Sequence, residues 1–161
     1  MRARTAVLTV ALSVASVGVT HAQHAHDAAG ALSAGDKAAI EKLIADYAHD
    51  LDTCKATEYA DLFTADGAFI SGPRGSVAGH EKLAGLVTSE PYCKPGAAGS
   101  STGHTIASVS IQPTHDGATG VVKLPPNVGG HYDDVYAKTS SGWKFKSRKY
   151  VSAKEEGAAP R

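Results

Sequence analysis

Three residues of the 161-residue chain are of types that together move protons: Tyr47, Asp52 and His104. A carboxylate bonded to one imidazole nitrogen fixes the tautomer of a histidine and raises the basicity of its other nitrogen. An Asp52–His104 pair of that kind is a general base working near neutral pH. Tyr47 supplies a hydroxyl able to hold or protonate an oxygen that gains charge. Each residue also has a plainer reading: Tyr47 as core packing with its hydroxyl at the rim, Asp52 as a solvated or capping carboxylate, and His104 as a satisfied structural histidine.

A second polar concentration is Gly130-His131-Tyr132-Asp133-Asp134-Val135-Tyr136. As a strand it places Tyr132, Asp134, Tyr136 and Lys138 on one face and His131, Asp133, Val135 and Ala137 on the other. So many polar groups suit a strand beside a polar pocket and equally an edge strand in water. The chain holds no P-loop, HExxH or dinucleotide fingerprint. Its 16 basic and 16 acidic residues lack the basic surplus of a nucleic-acid binder.

The elements that must position these groups follow from periodicity. Ser33-Ala-Gly-Asp36 resembles a capping box, with Asp in place of Glu. Behind it Ile40, Leu43, Ile44, Tyr47, Ala48 and Leu51 recur at helical spacing, predicting a helix over about 36–52. At about 100° per residue, Asp52 lies about 140° around this helix from Tyr47. A second helix fits 56–65, with Tyr59, Leu62 and Phe63 inward. Asp66-Gly67 then leads into a short strand, 68–71, and Gly72-Pro73-Arg74-Gly75 is a turn. A third helix follows Gly79, burying Leu83, Leu86 and Val87. After a Pro/Gly/Ser loop at 94–101 the period changes to two, with strands expected at 103–112, 118–124, 130–138 and 143–152. His104 therefore opens a strand, on one face with Ile106. Hairpin turns fall at His115-Asp116-Gly117 and Ser141-Gly142, and Pro125-Pro126 ends the second strand. Helices followed by antiparallel strands describe an α+β domain, helices packed on a curved sheet around a pocket.

The termini carry other information. Arg2 and Arg4, an apolar run from Ala6 to Val19 and Thr20-His21-Ala22 form the three-part pattern of a secretory signal. The expected organisation is a signal peptide at 1–22, a flexible tail at 23–35, one domain at 36–152 and a loose tail at 153–161. The tail residues His24 and His26 read as solvated in preference to metal-binding. The mature chain is then periplasmic or secreted, with no membrane attachment after cleavage. In such a compartment Cys54 and Cys93 are a candidate disulfide. It would close a loop of about 40 residues, contributing roughly 3–4 kcal/mol on the chain-entropy account.

From about Asp36 to Val151 the chain resembles the SnoaL-like branch of the NTF2-like cone fold. The resemblance rests on Tyr47-x4-Asp52, Tyr59-Ala-Asp-Leu-Phe-Thr-Ala-Asp66-Gly67, Gly103-His104-Thr105, Gly130-His-Tyr132-Asp-Asp134-Val-Tyr136, and Gly142-Trp143-Lys-Phe145 followed by Arg148. Within that branch it is most similar to the bile acid 7α-dehydratases and scytalone dehydratases. The resemblance implies an NTF2-like cone of three helices on a mainly antiparallel sheet, and cofactor-free, metal-free acid–base chemistry. His104, Asp52 and Tyr47 take the catalytic roles. Tyr132, Asp134, Ser71, Tyr59 and Arg148 are expected to line the substrate site, Ser71 where scytalone dehydratases carry a helper Tyr. Pairing through the open sheet face, implying a homodimer, is also a family habit. Trp143, Phe145 and Val151 are candidates for that interface, against ordinary core packing.

The function expected is a lyase, of dehydratase or C–C lyase type, acting on a small hydrophobic, aromatic or cyclic substrate. An isomerase or cyclase would use the same base without a leaving group. An exported, non-catalytic ligand-binding or dimerisation module is the reading from another class, because fold alone does not set function. An Asp52–His104 hydrogen bond would weigh for the enzyme.

Overall fold

The computed structural model describes residues 30–72, 75–89, 93 and 103–158. The expected signal segment, His24, His26 and the 94–101 loop lie outside these residues, as do Pro73 and Arg74 of the expected turn. Helix α1 (Ala34–Asp52) begins where the capping pattern puts it: the Ser33 hydroxyl accepts the Asp36 N–H at 3.0 Å. Its stripe of Ile40, Leu43, Ile44, Tyr47 and Leu51 is buried. The helix closes in a Schellman motif. The Lys55 N–H donates to the Asp50 carbonyl at 2.8 Å and the Cys54 N–H to that of Leu51 at 3.4 Å. Cys54 occupies the left-handed position, with φ 59°, where glycine is the usual residue. A side chain there costs on the order of 1–3 kcal/mol.

Helix α2 (Ala56–Asp61) is shorter than its apolar spacing implied, and strand β1 (Phe63–Ser71) starts earlier. Three apolar residues at 59, 62 and 63 fit either element. The parallel pairing of Phe63 with Phe145, and the Phe145 N–H donated to the Leu62 carbonyl at 2.9 Å, draw the chain into the sheet. The register shifts between Phe63 and Ala68, so Asp66-Gly67 sits in an irregular stretch of β1, not at a helix end. Strand β2 (Gly75–Ala78) has no signal in the sequence pattern. It forms a hairpin with β1 ahead of α3 (His80–Val87).

The remaining elements are β3 (Ser108–Thr114), β4 (Gly117–Lys123), β5 (His131–Thr139), β6 (Gly142–Val151) and α4 (Ala153–Ala158). The expected loose tail from 153 thus includes a helix, begun by Ser152, whose N–H and hydroxyl both donate to Glu155 Oε2. The sheet order is β2-β1-β6-β5-β4-β3, antiparallel except for β1 against β6. The helices pack on one face of this curved, unclosed sheet. On that face the register sets Phe69, Arg148, Asp134 and Gly120 in one row, and Ser71, Tyr150, Tyr132 and Val122 in the next. The other face carries Ile70, Lys149, Asp133 and Val121 around a shallow depression of about 380 Å³.

Trp143 and Phe145 do not belong to the open face. Phe145 is fully buried, and the Trp143 indole N–H donates to Asp36 at 2.9 Å, so both serve the core. A β-bulge explains the rest of that strand. Val135 pairs with Ser147 and Tyr136 with Phe145, which leaves Lys146 unmatched. Beyond it, Arg148 and Tyr150 turn inward. The disulfide between Cys54 and Cys93 is formed, with Cα atoms 5.8 Å apart. Among the described residues no helix is long and apolar enough to cross a membrane.

Candidate active site

Asp52 is the last residue of α1. A carboxylate there faces the negative end of the helix dipole, which costs about 0.3–1 kcal/mol. His104 supplies the compensation at two points. Its backbone N–H donates to Asp52 Oδ2 at 2.8 Å, and its Nδ1 lies 2.5 Å from Oδ1. The two side chains are 17% and 30% exposed, His104 the more buried. With Nδ1 committed to the carboxylate, the hydrogen-bond pattern assigns the proton to Nδ1 and proton acceptance to Nε2. Main chain and side chain are gripped by one carboxylate, so both the position and the rotation of the ring are set.

His104 does not open a strand. Residues 103–107 are irregular, and pairing with β4 begins at the Ala107 N–H, donated to the Lys123 carbonyl at 2.9 Å. Asp52 takes the His104 N–H that a ladder would have used.

The second group is an aromatic box around Arg148. The guanidinium carbon lies 4.1 Å from the Tyr47 ring centre, 4.2 Å from Tyr132 and 4.7 Å from Phe145. The Tyr59 ring packs against Tyr47 with centres 5.1 Å apart and planes tilted by 46°. Arg148 Nε is 3.1 Å from Asp134 Oδ1, and Tyr136 donates to Oδ2 at 2.7 Å. The Nε contact is an ion pair without the alignment of a hydrogen bond, and Nη1 and Nη2 are buried without a hydrogen-bond partner among the described residues. Burial pushes the Asp134 carboxyl up, against the opposing pull of Arg148 and the Tyr136 hydroxyl. Burial also works against the Arg148 charge, but Asp134 and the surrounding tyrosines outweigh it and the guanidinium is held charged. Tyr47 is pushed well up by burial, with Tyr59 and Tyr132 adding to the effect and Arg148 opposing it, so it stays a hydroxyl donor.

The structure therefore brings the expected residues into two sets. Asp52 meets His104, and Tyr47, Tyr59, Tyr132, Asp134 and Arg148 meet one another. Helix α1 carries a member of each. Ser71 is buried at the end of β1 beside Tyr150, which leans on Tyr132 at 5.7 Å. Strand β5 is internal, which removes the edge-strand reading of its polar residues. Sequence reasoning missed the Tyr136–Asp134 bond and the inward Tyr150. The alternation 132/134/136 signalled the first. Among the described residues no group of three or more His, Cys, Asp or Glu is placed to hold a metal ion.

The family profile of the SnoaL-like domain matches residues 33–149. The chain belongs to the SnoaL-like family. Solved structures agree at the level of fold. A cystatin-like protein of unknown function from Nostoc punctiforme superposes with a TM-score of 0.61 at 24% identity, over 74% of this chain and 92% of that one. A candidate scytalone dehydratase from Novosphingobium aromaticivorans gives 0.57 at 22%, over 73% and 84%. A type 2 hexachlorocyclohexane dehydrochlorinase gives 0.60 at 18%, over 73% and 85%. No curated protein matches the sequence significantly. This SnoaL-like chain thus shares its fold with a dehydratase-type and a dehydrochlorinase-type structure, and with several of unknown function.

Proposed function

We propose that this SnoaL-like protein is a cofactor-free lyase that eliminates a small leaving group from a hydrophobic, aromatic or cyclic compound. The observation that carries the reading is the two-point grip of Asp52 on His104, which spends local helix stability to orient one imidazole. A non-catalytic module has no need of that arrangement. In the reaction, His104 Nε2 takes a proton from carbon, the C–H electron pair forms the new double bond, and the adjacent C–O bond breaks. The hydroxide leaves as water after receiving a proton from the imidazolium or a tyrosine. Tyr47 and Tyr132, backed by the charged Arg148, stabilise the oxygen that gains charge. The names of two fold neighbours, a dehydratase and a dehydrochlorinase, denote eliminations of this kind. The Cys54–Cys93 disulfide supports action in an oxidising compartment, periplasmic or secreted.

The test is turnover of a panel of cyclic β-hydroxy ketones, followed by mass. Loss of water identifies a dehydratase, whereas a product of unchanged mass would move the assignment to an isomerase. Asp52→Asn and His104→Ala should each lower kcat/KM by about 10²–10⁴-fold. Normal turnover in either variant would overturn the reading.

A further inference from the structure

Two residues within three positions of the end of α1 are placed against local preference. Asp52 puts a carboxylate at the negative end of the helix, and Cys54 puts a side chain at a left-handed position suited to glycine. Both are engaged by one incoming stretch of chain. Cys93 bonds covalently to Cys54, and His104, eleven residues on, bonds to Asp52. Cys93 is buried and its Sγ rests 3.7 Å from the Leu51 carbonyl, next to Asp52 in the same turn. The contact is one of packing, since a bridged sulfur has no proton to donate. Cys93 and His104 therefore both meet this one helix end. One arm is a covalent bond, and the other is the pair proposed for catalysis.

From this geometry we infer that the Cys54–Cys93 bridge is the positioning element for Asp52 and His104, and that the pair is assembled only in the oxidised chain. The inference rests on the reading that Asp52 orients His104. A dithiol would take the bridge to two thiols while itself becoming a disulfide, passing two electrons and two protons to the sulfurs. Attack falls on Cys54, which is half-buried where Cys93 is buried. Release of Cys93 frees Cys54 to leave its strained backbone conformation. The C-terminal turn carrying Asp52 then relaxes and draws the carboxylate away from His104. Tyr47, the α1 member of the Arg148 box, lies more than a turn before Asp52, and Tyr132, Asp134, Phe145 and Arg148 lie on β5 and β6, so the box is untouched. Reduction thus switches off the base without dismantling the core.

The experiment needs no substrate. In oxidised protein the short Asp52–His104 contact should yield a low-field imidazole proton in the NMR spectrum, assigned by its loss in His104→Ala. Treatment with dithiothreitol, with both thiols confirmed by labelling, should abolish that signal. Reoxidation should restore it. Ring-shifted Arg148 resonances should stay in place throughout. The double variant Cys54→Ala/Cys93→Ala removes the bridge but keeps a side chain at the left-handed position, and should resemble the reduced protein. Persistence of the low-field proton after complete reduction overturns the inference. So does its loss together with the Arg148 signals, which would make the bridge a general staple of the fold. Either failure leaves the lyase reading to its own test, the kinetics of Asp52→Asn and His104→Ala in the oxidised enzyme.

Discussion

Arg148 and Asp134 meet across β6 and β5 with Nε 3.1 Å from Oδ1, and neither side chain reaches solvent, at 1% and 0% exposure. Such a pair has lost its hydration and depends on its partners. Arg148→Met leaves Asp134 buried without its cation and should destabilise the fold by about 3–5 kcal/mol. The double variant Arg148→Met/Asp134→Leu removes both charges and should recover most of that loss, while still impairing turnover. Urea unfolding of the singles and the double measures this. Strictly additive losses would show that the two charges do not support each other.

Gly120 faces Asp134 across β4 and β5, and a Cβ there would come within 2.8 Å of the Tyr136 hydroxyl and 2.9 Å of its ring. Gly120→Ala should therefore push Tyr136 off Asp134, with a loss of about 1–3 kcal/mol. Gly85 offers the opposite case. It lies inside α3, has no atom within 4 Å of an added Cβ, and lacks a positive φ. Gly85→Ala should stabilise the protein by about 0.5–1 kcal/mol. Opposite shifts of Tm for one and the same substitution are the expected result. Equal shifts would mean that the crowding at Tyr136 is unimportant.

Asp36 ties the start of α1 to the β5–β6 hairpin. Its Oδ1 accepts from Lys138 at 2.7 Å and Trp143 at 2.9 Å, and its Oδ2 accepts from Ser33 at 2.7 Å. The Lys138 contact, then Ser33 and Trp143, hold its carboxyl well below the usual carboxylate range. A depressed folded value means that the ionised group stabilises the fold above about pH 4. That contribution fades as pH falls from there toward the folded value. Asp36→Asn should lower Tm at pH 7, and the gap to wild type should close in acid. A gap of constant size from pH 7 to pH 2 would remove the charge from the explanation.

The residues that could be read from sequence are those whose signals are local. The Ser33 cap, the α1 stripe and the hairpin turns at 115–117 and 141–142 all depend on neighbours within a few positions. Asp52 and His104 stand out by residue type and family likeness, and the fold joins them. The Arg148 box was harder, because strict alternation from Phe145 puts Ser147 and Lys149 inside and Arg148 outside. The bulge at Lys146 reverses that parity, and the cross-strand register that creates it leaves no mark at that position. The misplaced strand start at His104 has a similar cause. A backbone N–H taken by a side chain 52 residues earlier is invisible to periodicity.

Helix α4 makes the last case, since six residues do not hold a helix unaided. His131 anchors it: Nδ1 lies 2.8 Å from Glu156, in a close but poorly aligned contact, and Nε2 lies 3.2 Å from Asp133. Lys123 is its partner across β4. The histidine is 14% exposed and Glu156 46%, so screening limits the pair to about 0.5–1 kcal/mol. Glu156→Gln should then speed amide exchange across Ala153–Ala158 by roughly 2–5-fold, since local opening can occur well below the global unfolding energy. Exchange in β5 and β6 should not change. Helix amides that exchange at the wild-type rate would assign the docking to the Ser152–Glu155 cap instead, and the variant Glu155→Gln would then carry the effect.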